Sequence, residues 1–150
     1  MVSVNNEWGK LRELFVGTVD NANMPKHGED LHAINYADKD TIPKEELGRF
    51  DNKVYEETYE DLENLVTILK DLNITVRRPQ TLQTDNIVSN GFWETDQYYT
   101  FCPRDTVSVI GKTILEAPMS LRSRQYETYC FRDLWWYCCL SDPGARASFY

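Results

Sequence analysis

The sequence predicts an α/β fold, and three observations predict it. A strand-like segment lies close to the N-terminus, a long acidic helix pattern hands directly to a β-branched strand around residue 74, and a strand, bend and hairpin follow around residue 100. Helices that hand over to strands in this way pack as layers on small sheets.

Leu11-Arg12-Glu13-Leu14-Phe15-Val16-Gly17 is a mainly apolar run ending on glycine, and it reads as a strand running into a turn. From about Thr18 to Asn52, isolated apolar residues are scattered among Asn, Asp, Lys, Gly and Pro without periodicity. That stretch is expected to be an excursion loop, with no regular structure beyond a turn around Pro43 to Leu47. From Val54 onward, Leu62, Leu65, Val66, Leu69 and Leu72 fall at helical spacing. Glu56, Glu57, Glu60, Asp61 and Glu63 lie in the first half and Lys70 near the end, an order the helix dipole favours. The helix gives way at Asn73, and Ile74-Thr75-Val76-Arg77-Arg78, stopped by Pro79, reads as a strand.

Tyr98 to Cys102 is the next expected strand and Pro103-Arg104-Asp105 the bend. Thr106 to Ile110 and Thr113 to Glu116 then form the arms of a hairpin around Gly111-Lys112. Ser120 stands in a capping position, and Leu121 to about Leu134 is expected to form a second helix. Beyond it, Trp135-Trp136-Tyr137-Cys138-Cys139-Leu140 is a dense apolar block, expected to present aromatic surface that needs a partner. The expected organisation is part of a larger domain over residues 1–134, followed by an atypical, truncated or frame-disturbed end over 135–150, without repeats or linkers.

Composition narrows the function classes. Hydrophobic residues make up 41% and aromatics 13%, enough to build a core and too many for a disordered chain. The formal charge of −8 repels phosphate backbones and anionic lipid, so neither nucleic acid nor a membrane surface is an expected partner, while a cationic ligand is compatible. No apolar run reaches membrane-spanning length, and the first residues lack a secretory pattern, so the expected location is cytoplasmic.

There is no phosphate-binding glycine loop, HExxH, CxxC or GxSxG motif, and hence no expected cofactor and no expected metal. The adjacent pair Cys138-Cys139 has poor spacing for a metal. Cys102, Cys130, Cys138 and Cys139 are too few and too bunched for a disulfide framework, and buried, reduced, structural thiols are expected for all four. His27 and His32 fall in the long polar loop, where a solvated surface role is expected.

Asp105 stands apart, because an acid between a strand and a hairpin is costly to bury unless donors or a cation satisfy it. Its residues leave two readings open: an internal ion pair with Arg104 or an Asx turn, or a carboxylate that accepts paired hydrogen bonds from a ligand guanidinium.

Several blocks carry a family resemblance. They are Asn6-Glu7-Trp8 with Leu11 and Val16-Gly17, Leu72 to Pro79 reading LNITVRRP, Cys102-Pro103-Arg104-Asp105, and Glu116-Ala117-Pro118-Met119 with Arg122, Arg124 and Glu127. Together, from about Asn5 to Leu134, they resemble the N-terminal part of the glycine amidinotransferase family. The resemblance implies a partial pentein fold, roughly the first two units of a five-fold pseudosymmetric α/β propeller built of ββαβ units. It implies transfer of the amidino group of arginine to an amine acceptor through an amidino-cysteine intermediate, with a histidine moving protons.

The family's guanidinium-binding aspartate maps onto Asp105. Its catalytic cysteine and histidine map onto nothing here, so no catalytic residue is carried over and the chain alone is expected to be inactive. The other readings are a guanidino hydrolase of the same fold and a non-catalytic association module. By analogy, the intact enzyme is expected to be a homodimer.

Overall fold

The computed structural model describes residues 2–25, 29–35, 38, 47–81 and 87–148. Its elements are β1 (Glu13–Phe15), β2 (Asn23–Met24), α1 (Glu29–Asn35), β3 (Gly48–Arg49), α2 (Asn52–Asp71), β4 (Thr75–Arg77), β5 (Val88–Ser89), β6 (Glu94–Thr95), α3 (Pro103–Thr106), β7 (Val107–Ile110), β8 (Thr113–Glu116), α4 (Arg132–Ser141) and β9 (Arg146–Ser148). Two 3-10 turns, Arg122–Arg124 and Glu127–Phe131, lie between β8 and α4. The expected α/β class is observed.

α2 is capped at its start by Asp51, whose side chain accepts from the Lys53 N–H at 2.9 Å, and at its end by Leu72, ahead of Asn73, which takes φ 58°. Asparagine tolerates that left-handed conformation well. The chain then enters β4, which runs parallel to β1 with Leu14 opposite Val76. Val66 and Leu69 pack with Val16, Leu14, Leu62, Ile74 and Val76 under this pair. Leu65 and Leu72, also at helical spacing, are exposed instead, because so narrow a sheet covers only one stripe of the helix.

β7 and β8 form the expected antiparallel hairpin, with Ile110 opposite Thr113, and β9 joins β8 in parallel with Ala147 opposite Ile114. The order β7, β8, α4, β9 is the ββαβ arrangement that the resemblance implies.

Four local expectations are corrected. The stretch from Thr18 to Asn52 contains β2, α1 and β3, with β2 and β3 antiparallel. Leu31 of α1 is buried against Tyr98 and Leu121, so tertiary packing supplies what local periodicity lacked. The turn expected at Pro43 to Leu47 lies outside the described residues except for Leu47.

Tyr98 to Cys102 forms no named strand: Thr100 makes an isolated bridge to Thr18, and the Tyr98 carbonyl accepts from the Asn23 N–H at 2.8 Å. Between Leu121 and Phe131 the chain forms 3-10 turns, and the helix begins at Arg132. Leu121, Ser123, Arg124, Glu127, Thr128, Cys130 and Phe131 are all buried there, and only Gln125 and Tyr129 are exposed. Ser120 is not the cap: the Arg122 N–H donates to the Asp30 carboxylate of α1 at 2.6 Å.

The aromatic block divides rather than lying open. Trp135 is fully buried with Ile114, Cys130 and Phe131, whereas Trp136, Tyr137 and Leu140 are exposed. Residues 135–148 thus supply most of α4 and all of β9.

Gly17 marks the closest approach of two backbones. A Cβ there would lie 2.1 Å from the Thr100 carbonyl oxygen and 2.4 Å from Phe101 Cα. Neither atom can swing away as a side chain does. Gly17→Ala is therefore expected to lower the unfolding free energy by about 1–3 kcal/mol, read from urea denaturation midpoints. An unchanged midpoint would show that the two segments separate at no cost.

Candidate functional site

The chemistry-bearing residues converge where α3 meets the 3-10 turns. Pro103 opens α3, since its missing N–H costs nothing in a first turn, and the buried Thr106 hydroxyl donates to the Pro103 carbonyl at 2.8 Å. The Ala117 N–H donates to the Thr106 carbonyl at 3.0 Å, tying the end of β8 to this turn. Asp105 is thereby held at the surface with its side chain one-third exposed (33%).

Both oxygens of Asp105 face guanidinium groups. Arg104 Nε lies 3.4 Å from Oδ1 and is nearly fully exposed, and Arg124 Nη1 donates to Oδ2 at 3.1 Å from the protein side. The ion pair with Arg104 is present, and a second, buried arginine joins it.

Arg124 is anchored in turn. Its Nε lies 3.0 Å from each Glu127 oxygen, its Nη2 donates to Oε2 at 2.9 Å, and its guanidinium stands 4.7 Å from the centre of the Tyr99 ring. The Tyr99 N–H donates to Glu127 Oε1 at 3.4 Å. Burial pushes the Glu127 carboxyl up to about 7, against the lowering pull of Arg124's hydrogen bonds and charge. Burial opposes the charge of Arg124 too, but the hydrogen bonds and charge of Glu127 outweigh it and raise its pKa above the usual arginine value. Burial pushes the Tyr99 phenol up to about 12.

A second carboxylate–guanidinium pair stands behind the first. Buried Glu116 accepts from the Thr128 hydroxyl at 2.8 Å and from Arg132 Nη2 at 3.2 Å, and Arg132 lies over the Tyr129 ring at 3.9 Å. Glu116, Ala117, Pro118, Met119 and Gln125 line an open cavity of about 220 Å³. The two sequence blocks singled out above, CPRD and EAPM, are therefore neighbours in space. Arg124 and Glu127 were not assigned a role from sequence; their spacing of three in a run of buried residues was the available signal.

Among the other candidates in the described residues, Cys102 and Cys130 feel the charges of this cluster. The Cys102 thiol is half-buried, and burial first, then the Asp105 charge, raises its pKa against the pull of Arg124 and Arg104. Cys130 is buried, with its thiol pushed up to about 12 by burial, while Cys138 and Cys139 are half-buried rather than buried. The expectation of four buried thiols is corrected at Cys102, Cys138 and Cys139; the last two pack only partly buried against the Trp135 cluster. His32 is on α1 and half-buried, not in a solvated loop, and His27 lies outside the described residues. Among the described residues no group of side chains forms a metal cluster, and no helix is long and apolar enough to cross a membrane.

The fold matches one segment of solved amidinotransferases, a partial pentein fold. The chain superposes over 100% of its length on 43% of the inosamine-phosphate amidinotransferase from Streptomyces griseus, at a TM-score of 0.89 and 36% identity. It covers 42% of SxtG, an amidinotransferase from Microseira wollei in the saxitoxin biosynthetic pathway, at a TM-score of 0.79 and 29% identity.

In sequence it is 37% identical over 135 residues to inosamine-phosphate amidinotransferase 1 of Streptomyces glaucescens, covering 89% of this chain and 39% of that protein. It is 29% identical over 130 residues to the mitochondrial glycine amidinotransferase of Xenopus tropicalis, covering 86% of this chain and 31% of that protein. No protein-family model matches. The chain is homologous to part of the inosamine-phosphate and glycine amidinotransferases, consistent with an N-terminal part, and spans about 39% of the length of the first of these relatives.

Proposed function

We propose that this chain provides the guanidinium-binding carboxylate of an amidinotransferase that moves the amidino group of arginine to an amine acceptor. In that reaction a thiolate attacks the amidino carbon, the C–N bond to ornithine breaks as its amine takes a proton, and the acceptor amine then displaces the thiolate. The part of this chain is to bind and orient. The thiolate and the proton-moving histidine are assigned outside its own cysteines and histidines, since the family's catalytic cysteine and histidine map onto nothing here; burial also raises the pKa of the Cys102 thiol, against a nucleophilic role.

The observation that carries the reading is Asp105 itself: a partly exposed carboxylate already engaged by guanidinium groups on both oxygens, the outer one belonging to an exposed, displaceable arginine. A ligand guanidinium can replace Arg104 at Oδ1 without disturbing the inner contact. Charge-assisted contacts of this kind contribute about 1.5–3 kcal/mol, so Asp105→Asn is expected to weaken binding of L-arginine by about tenfold or more in an NMR titration. Equal affinity in wild type and variant would remove Asp105 from the site.

A further inference from the structure

The geometry points to Arg124 as a positioning residue for Asp105, held in place by Glu127 and Tyr99, so that one carboxylate oxygen is committed inward and the other is presented to a ligand guanidinium. This rests on the reading of Asp105 given above and deepens it. α3 has four residues, too few to fix a surface carboxylate by itself. The inner contact, Arg124 Nη1 to Oδ2 at 3.1 Å, comes from a side chain only 9% exposed, whereas the outer contact comes from Arg104, which is 91% exposed. The inner contact is therefore the ordered one.

Arg124 owes its own placement to three short contacts with Glu127, whose side chain is 1% exposed, and to the Tyr99 ring beneath it. A planar guanidinium gripped on its Nε and Nη2 edge has one direction left for Nη1, and that direction meets Asp105. A carboxylate fixed in this way loses less freedom when a ligand arrives.

Glu127 also settles the charge balance. Arg124 alone would neutralise Asp105 and repel a cationic ligand, but Glu127 cancels the charge of Arg124. With all three ionised, Asp105, Arg124 and Glu127 carry one net negative charge, which suits a guanidinium.

The test is titration of the full chain with L-arginine, following the Asp105 carboxyl carbon and the Arg124 Nε–H by NMR in wild type, Asp105→Asn, Arg124→Lys and Glu127→Gln. Lysine keeps the charge but offers no fork, and glutamine keeps the volume but not the charge. Each is expected to weaken L-arginine binding by about fivefold in the folded protein, the size of coupling between contacting residues. The wild-type Arg124 Nε–H signal is expected to shift at saturation, which a purely structural arginine would not show.

Wild-type affinity in either folded variant overturns the positioning role while leaving Asp105 in place. If neither variant folds, an unmoved Arg124 signal at saturation overturns it. No binding by the wild type, or undiminished binding by Asp105→Asn, overturns the reading of Asp105 itself.

Discussion

Trp135→Ala is expected to lower the unfolding free energy by about 3–5 kcal/mol, the range for emptying a large aromatic site in a core. Trp135 is fully buried against Phe131, also fully buried, together with Ile114 and Cys130, and Val107, Val109, Leu134 and Ala147 pack around the group. The cavity would open between α4 and the β7-β8-β9 sheet, whose strands are fixed by the hairpin and by β9 and cannot close in cheaply. Urea denaturation measures the loss. A domain of this size holds only about 5–15 kcal/mol in total, so the loss would take a large share of the stability. A loss below about 1 kcal/mol would mean that α4 is not docked as described.

Arg124→Ala is expected to cost about 3–5 kcal/mol, because it leaves the Glu127 carboxylate buried without its counter-charge. The paired change Arg124→Met with Glu127→Leu is expected to cost less than the single change, since no uncompensated charge remains. The pH dependence carries the sign. The folded-state pKa of Glu127 is raised from 4.5 to about 7, so its proton stabilises the fold fully below the unfolded value and that contribution is lost as pH rises through about 7. Without Arg124 the folded value climbs further. The deficit of Arg124→Ala should therefore be smaller at pH 5 than at pH 8. A deficit that grows on acidification would show that Glu127 stays ionised and is satisfied by other groups.

Local signals were legible in the sequence where one element decides its own structure. The stripe of Leu62, Val66 and Leu69, the break at Asn73 and the Gly111 turn lead directly to α2, β4 and the β7–β8 hairpin. What stayed hidden depends on distant partners. α1 is held by Leu31 against Tyr98 and Leu121 and by Asp30 on the Arg122 N–H, contacts across 92 positions for the latter. The 3-10 turns bury Arg124 and Glu127 as a charged pair, and a buried ion pair has no hydrophobic signature in the sequence.

The site divides in the same way. Asp105 could be picked out as an acid in an expensive place, and the family resemblance assigned it to guanidinium binding. That its inner partner would be Arg124 could not be read from sequence, because the meeting of α3 with the turn at Arg122–Arg124 depends on β7 and β8 folding back between them.

We propose that this chain binds a guanidinium through Asp105 without performing the covalent step. The measurement that tests it most directly is incubation of the full chain with L-arginine labelled at the guanidino carbon, with NMR of Asp105 and intact-mass analysis of the cysteines on the same sample. The expected result is a saturable shift at Asp105 and no labelled adduct on Cys102, Cys130, Cys138 or Cys139. An amidino adduct on any of them, or an Asp105 signal that stays still at saturating L-arginine, would contradict it.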